Sequence, residues 1–176
     1  MRFFFYGTLL DRDVRAMVLP HVFEELCLTP AELTGWQRVQ ARHGSFPVIR
    51  PRPGARLAGL LVEGIDRRGL YRMAHFEGDG YTAGLLPVTA RGRRLQAAVF
   101  LPERRALCLS RGWSLDTWQR RHKRRFLPRI QGWMNEFSAQ GPWSGDLSWH
   151  ARRRLAEIAR VAPGEDGAAE AWREAA

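Results

Sequence analysis

Lysine is nearly absent from this chain. Of its 28 basic residues, Lys123 is the sole lysine and the rest are arginine. Against 18 acidic residues the formal net charge is +10. Arginine grips phosphate and carboxylate better than lysine does, so the charge invites an anionic partner. An exclusion of lysine this thorough, however, has the form of a compositional bias acting on every site. It weakens net charge as a sign of nucleic-acid binding. Cysteine is also scarce. Cys27 and Cys108 stand far apart with no histidine beside them, which excludes zinc-finger spacing and a disulfide framework. Two reduced, mostly buried thiols of a cytosolic protein are expected. Long apolar runs are missing as well: none reaches the roughly 18–20 residues that span a bilayer. The first residues lack the basic-then-apolar layout of a secretory signal. The expected address is the cytoplasm, with no membrane partner. There is no internal repeat. No metal-ligand spacing is seen, so no metal is expected.

An apolar content of 45% over 176 residues is enough for one well-packed domain. Arg2–Tyr6 reads as a strand, and Leu9–Leu19 as a short helix capped by Asp11 and stopped by Pro20. Glu32–Ala41 reads as a strand. Phe46–Arg50 and Leu57–Ile65 read as a strand pair about the turn Pro51-Arg52-Pro53-Gly54. The second of these, LAGLLVEGI, is so apolar that burial on both faces is expected. Arg68–Phe76 has room for one or two helical turns, and Tyr81–Ala90 with Leu95–Leu101 form a hairpin-like pair. Several short strands with interposed helices imply an α+β fold built on a small mixed barrel or curled sheet.

After residue 105 the pattern becomes helical. Ser114 is a candidate N-cap, and Leu115, Trp118, His122, Phe126, Ile130, Trp133 and Phe137 recur at helical spacing. Pro128 interrupts that run and predicts a kink or break. A second helix is expected over Ser148–Val161, ended by Pro163-Gly164, followed by a frayed tail. The expected organisation is a barrel over residues 1–104 with a helical C-terminal extension, 105–176, packed on it.

Three stretches can carry chemistry. In the first, a strand ends in Tyr6-Gly7-Thr8-Leu9 and leads into a helix. This is either a plain strand-to-helix turn or a loop that holds an anion through main-chain N–H groups. The second is His75-Phe76-Glu77-Gly78-Asp79-Gly80-Tyr81, where Glu77 closes an apolar segment just before a glycine turn. Glu77 is either a solvated loop carboxylate or a catalytic one held at an element's end, and His75 reads as a partly buried spacer. The third is the arginine-rich, tryptophan-bearing helix around Trp113–Arg129. It is either an amphipathic helix with solvated arginines or a face for nucleic acid or an acidic partner.

The order and separation of Tyr-Gly-Thr-Leu at the start, Phe46-Pro47, LAGLLVEGI and Phe76-Glu77-Gly78-x-x-Tyr81 resemble the gamma-glutamylcyclotransferase-like, or AIG2-like, family over about residues 2–101. The resemblance implies a small mixed β-barrel with flanking helices. It also implies a cavity lined by Tyr6, Gly7, Thr8 and Leu9, with Glu77 catalytic and Tyr81 matching the family tyrosine. The implied reaction cyclises a γ-glutamyl amine or peptide to 5-oxoproline and releases the amine. Glu77 would act as base and then acid, without a cofactor, on a small-molecule substrate. Model values of about 4.3 for a glutamic acid and about 8 for an α-amine leave roughly 5 kcal/mol against proton transfer in water. An apolar neighbour such as Phe76 narrows that gap by disfavouring the charged carboxylate. The chain departs from the family pattern at two places. Met73 and Ala74 stand where members often carry Leu-Asp, and Ala83 stands where they often carry arginine. The alternative from a different class is a non-catalytic ligand-binding or regulatory module whose basic helix contacts nucleic acid or an acidic protein.

Overall fold

The computed structural model describes residues 1–103 and 108–139. Six strands are present there: β1 (Phe3–Phe5), β2 (Cys27–Ala41), β3 (Pro47–Glu63), β4 (Tyr81–Ala90), β5 (Arg93–Pro102) and β6 (Cys108–Gly112). Four α-helices accompany them: α1 (Arg12–Val18), α2 (Arg67–Glu77), α3 (Leu115–Arg121) and α4 (Lys123–Ala139). The strand order β3-β1-β5-β4-β2 closes on itself through a further β2–β3 pairing, so five strands form a barrel and β6 lies outside on β2. All pairings are antiparallel except β1 with β5. This is an α+β fold on a small mixed barrel.

Closure explains the opening run of bulky residues. Phe4 and Tyr6 join Leu33, Leu57, Leu61, Val88, Ala97 and Val99 in a cluster that draws on all five barrel strands. Phe3 and Phe5 belong to a second cluster with Val14, Val18, Leu70, Met73, Trp118, Phe126 and Ile130, between the barrel wall and the helices. A strand buried on both faces reads as continuous apolar sequence rather than alternation. Gly59 in β3 makes the tight closure possible. A Cβ there would stand 2.3 Å from the Phe5 carbonyl oxygen and 2.5 Å from Phe4 Cζ.

Several expectations are corrected. Pro51–Gly54 does not join two paired strands: both segments belong to β3 and both pair with β2. Thr34 opposes Arg56 while Trp36 opposes Pro51, so residues 52–55 bulge out opposite a single residue of β2. Prolines are tolerated there because a bulge needs no ladder donors. Leu57–Ile65 is not buried throughout. Leu57, Leu61, Val62 and Ile65 are buried, but Ala58 is exposed. α2 is longer than expected, because Asp66 caps it by accepting from the Gly69 N–H at 2.7 Å. Cys27 is exposed rather than buried, since it opens β2 at the barrel rim opposite Glu63. The Cys108 side chain, the Ser148–Val161 helix and the tail lie outside the described features.

The break expected at Pro128 falls instead at His122. α4 runs through Pro128. The carbonyl deprived of a helical donor there is that of Arg124, an exposed residue where water can serve. At His122 the backbone leaves helical geometry (φ −125, ψ −29). Its carbonyl then accepts from the Arg125 and Phe126 N–H groups at 3.1 Å, starting α4 one residue later.

Asp11 fastens this junction to the barrel. The carboxylate is 1% exposed. Its Oδ1 accepts from the Asp13 and Val14 N–H groups at 3.0 and 3.2 Å, capping α1. Its Oδ2 accepts from Gln119 Nε2 at 2.7 Å and Lys123 Nζ at 2.8 Å. Burial alone would push Asp11 up, but the bonds from Lys123, Gln119 and the Val14 N–H outweigh it and hold the carboxyl below its ordinary value. Burial likewise opposes the Lys123 charge, but Asp11 and Asp13 outweigh it and raise the ammonium.

Asp11→Ala removes a cap and leaves a cation without its buried partner. Its unfolding free energy in denaturant titrations is expected to fall by about 2–4 kcal/mol. The pair also sets a pH window. The Asp11 contribution is present above the unfolded carboxylate value of about 3.9 and is lost as pH falls through the lower folded value. The Lys123 contribution is present below about 10.4 and is lost as pH rises through the higher folded value. The Asp11→Ala variant should therefore show a flatter stability–pH curve at both extremes than the wild type.

Candidate functional site

A cavity of about 350 Å³ opens where the first loop, the end of α2 and α4 meet. Its first wall is the loop after β1. Thr8–Leu10 form a single 3-10 turn with no side chain capping it, and Thr8 and Leu9 are buried. Each carbonyl of this loop is held. Arg38 Nη1 donates to the Tyr6 oxygen at 2.6 Å. The Gly7 oxygen accepts from the Leu10 N–H at 3.0 Å, and the Thr8 oxygen from the Asp11 N–H at 2.9 Å. Arg15 Nη1 donates to the Leu9 and Leu10 oxygens at 2.8 and 2.7 Å. In a trans peptide the N–H points opposite to the carbonyl. Fixing the carbonyls of Tyr6, Gly7 and Thr8 therefore turns the N–H groups of Gly7, Thr8 and Leu9 away from those partners. No positive φ is needed at Gly7, where φ is −114. Its missing side chain matters through space: a Cβ would lie 3.2 Å from Pro47 Cγ across the cavity.

The second wall comes from the end of α2. Glu77 is its last residue, half-buried, and Gly78 terminates the helix with φ +62. Tyr81 follows at the start of β4, and its hydroxyl donates to the Pro47 carbonyl at 3.0 Å. That bond pins the β2–β3 arm to the cavity rim. Tyr6, Gly7, Thr8, Leu9, Glu77 and Tyr81 all line this one cavity. The structure thus brings together every site residue expected from the sequence. The positions that depart from the family pattern are packed away: Met73, Ala74 and Ala83 are 0%, 1% and 8% exposed.

The remaining lining includes Phe46 and Pro47 from the β2–β3 arm, His75 and Phe76 from α2, and Phe126, Trp133 and Glu136 from α4. The contribution of α4 to the cavity was missed in the sequence, where its aromatics read either as core or as part of a nucleic-acid face. Phe126 is indeed 7% exposed, but Trp133 is only half-buried and faces both worlds. His75 Nε2 lies 2.9 Å from the Trp133 carbonyl oxygen. A carbonyl only accepts, so this nitrogen carries the proton and donates. Arg38 was also missed. Burial pulls its guanidinium down from its ordinary value, and it stacks 5.3 Å from the Trp113 ring. One arginine among 27 carries no sequence signal of such a role.

The arginine-rich helical segment divides. Arg120 pairs with Asp116, and Lys123 bridges Asp11 and Asp13, both at 2.8 Å. Arg121, Arg124 and Arg125 are exposed. Among the described residues no group of three or more His, Cys, Asp or Glu is placed to hold a metal ion, and no helix is long and apolar enough to cross a membrane.

A family model described as "Gamma-glutamyl cyclotransferase, AIG2-like" matches residues 3–120. AIG2-like protein A of Arabidopsis thaliana is 24% identical over 149 residues, covering 82% of this chain and 88% of that protein. The solution structure of At3g28950.1 from the same plant superposes with a TM-score of 0.54 at 18% identity. It covers 84% of this chain and 93% of that one. A human protein, described as uncharacterized protein loc79017, superposes with a TM-score of 0.51 at 18% identity over 58% of this chain and 66% of its own. At these identities the two structures speak to the fold.

Replacing Tyr81 by Phe removes the bond to the Pro47 carbonyl. It should cost about 0.5–1.5 kcal/mol in denaturant unfolding. The same variant should free the β2–β3 arm, seen as faster amide hydrogen exchange at residues 46–48 than in the wild type.

Proposed function

The chain belongs to the gamma-glutamyl cyclotransferase, AIG2-like family, and from that premise we propose that it converts a γ-glutamyl amide to 5-oxoproline and a free amine. The observation that carries this reading is the convergence of Glu77 with the Tyr6–Leu9 loop on one small cavity. In this mechanism the loop's N–H groups hold the substrate's α-carboxylate or the oxyanion that develops at the γ-carbonyl. Glu77 takes a proton from the α-amine as its nitrogen attacks the γ-carbonyl carbon. A C–N bond forms and closes a five-membered ring. The resulting tetrahedral centre collapses, the original C–N bond breaks, and Glu77 returns the proton to the leaving amine.

Physical economy favours such a site. The nucleophile is part of the substrate, so its orientation is largely built in. One positioned carboxylate serving as base and then acid typically contributes about 10²–10⁴-fold. Glu77 suits the task by position: it ends a helix whose preceding residues, Met73 and Ala74, are locked in the core, so its backbone is held rigidly. The protein's working compartment on this reading is the cytoplasm, where such small peptides and amides are found in reduced surroundings.

The test is 5-oxoproline release from a panel of γ-glutamyl amines and peptides. Wild-type protein should turn over at least one of them, and Glu77→Gln should lower kcat by about 10²-fold or more while leaving the unfolding transition in place. Equal release by the variant, or no release by the wild type from any of the panel, would sink the assignment.

A further inference from the structure

The cavity's charge runs against that of the whole chain. The sequence carries 28 basic residues to 18 acidic ones, yet among the described residues neither arginine nor lysine lines the cavity. The carboxylates there are Glu77 and, on α4, Glu136. Glu136 is exposed, so its charge stands at the cavity's open side. The rest of the α4 lining is aromatic. Phe126 and Trp133 meet edge to face with centroids 6.0 Å apart. Phe46 and Phe76, both half-buried, lie along the same cavity. Arg129 stacks over the Trp133 ring at 5.5 Å but is not itself a lining residue. The bond from His75 to the Trp133 carbonyl ties this wall to the helix that ends in Glu77. Phe126, Trp133 and Glu136 all lie beyond residue 120, where the family match stops.

Resting on the cyclisation reading above, we propose that α4 selects the leaving group. The cavity takes γ-glutamyl amides whose amine portion is uncharged and apolar or aromatic, and it rejects those whose amine portion carries a carboxylate. Trp133 supplies the contact surface, and Glu136 supplies the rejection. The substrate's own α-carboxylate is met by the Gly7–Leu9 loop. A second carboxylate in the amine portion would leave water for a wall of rings to which the described residues contribute no lining arginine or lysine, beside a like charge. Burying an unpaired charge is costly, and specificity of this kind rests on such a repulsive element as much as on attraction. An apolar amine portion meets polarisable rings instead and gains by stacking and area.

The experiment uses mimics that cannot react. Mono-amides of glutaric acid keep the α-carboxylate and the γ-amide but lack the attacking amine. Calorimetric titration of the full chain would compare the benzylamide with the glycine amide, whose amine portion ends in a carboxylate. The benzylamide should bind at least about tenfold more tightly, the scale at which apolar pockets discriminate. Glu136→Gln, at an exposed position that tolerates change, should tighten the glycine compound severalfold and leave the benzylamide unchanged. Trp133→Ala should weaken the benzylamide alone. Equal binding of the two, no binding of either, tighter binding of the glycine compound, or a ratio unmoved by both variants would overturn the proposal. Turnover is not involved, so a wild type that releases 5-oxoproline but prefers the glycine compound defeats this selection and spares the cyclisation. One that binds the benzylamide selectively yet releases nothing does the reverse.

Discussion

The Asp11 carboxylate joins the two ends of the described chain. One of its oxygens starts α1, and through α1 it fixes where the Tyr6–Leu10 loop must end. The other receives Gln119 and Lys123, more than a hundred residues later, on either side of the α3–α4 break. The wall of the cavity built by α4 is therefore placed by the residue that follows the opposite wall. The sole lysine of the chain sits at this point. An ammonium is compact and has three donors, so it can serve Asp11 and Asp13 at once, whereas a guanidinium is a flat fork suited to one carboxylate lying in its plane. A composition that otherwise uses arginine at every basic position still places lysine where two carboxylates converge.

From that anchor the loop's polarity follows. Three buried or half-buried arginines, Arg15, Arg38 and Arg72, donate to main-chain carbonyls. Arg72 binds the carbonyls of Met17 and Val18 at 2.9 and 2.6 Å and closes the end of α1. Arg38 binds the Tyr6 carbonyl and so dictates which way the Gly7 N–H turns, while Arg15 holds the Leu9 and Leu10 carbonyls at the end of the loop. Part of the chain's positive charge is thus internal and structural, standing in for backbone donors that an irregular loop cannot supply. Net charge counted from composition cannot distinguish these arginines from solvated ones.

What could be read in the sequence was chemistry that acts locally. The Asp11 cap, the glycine that ends α2, and the β4–β5 hairpin over Tyr81–Pro102 each depend on neighbours a few residues away. The Phe3–Tyr6 run announced burial, and closure of the barrel explains why both its faces are covered. What could not be read depended on partners far along the chain. Pro51–Gly54 has every mark of a turn, and only pairing of both flanks with β2 makes it a bulge. Pro128 has every mark of a break, but packing of Phe126, Ile130 and Met134 holds α4 together around it. The site divides in the same way. Its loop and its glutamate lie in short stretches whose residue types speak for themselves. Arg38, Trp133 and Glu136 are single residues in ordinary contexts that acquire a role only when the fold brings Arg38 to the Tyr6 carbonyl and Trp133 and Glu136 to the cavity.

The two walls then differ in electrostatic character. Behind the Gly7–Leu9 loop stands the Arg38 guanidinium, and its bond to the Tyr6 carbonyl turns the Gly7 N–H away from it. Both favour negative charge at that end. At the α2 and α4 end stand Glu77 and Glu136 among aromatic rings, which disfavour it. A ligand with a carboxylate at one end and a neutral amide at the other has one low-energy orientation in such a field. On the proposed function, that orientation would set its carboxylate against the loop and its amide toward Glu77. An arrangement that selects orientation by charge would align the proposed γ-glutamyl substrate without a further residue. This is consistent with Met73, Ala74 and Ala83 being given over to the core.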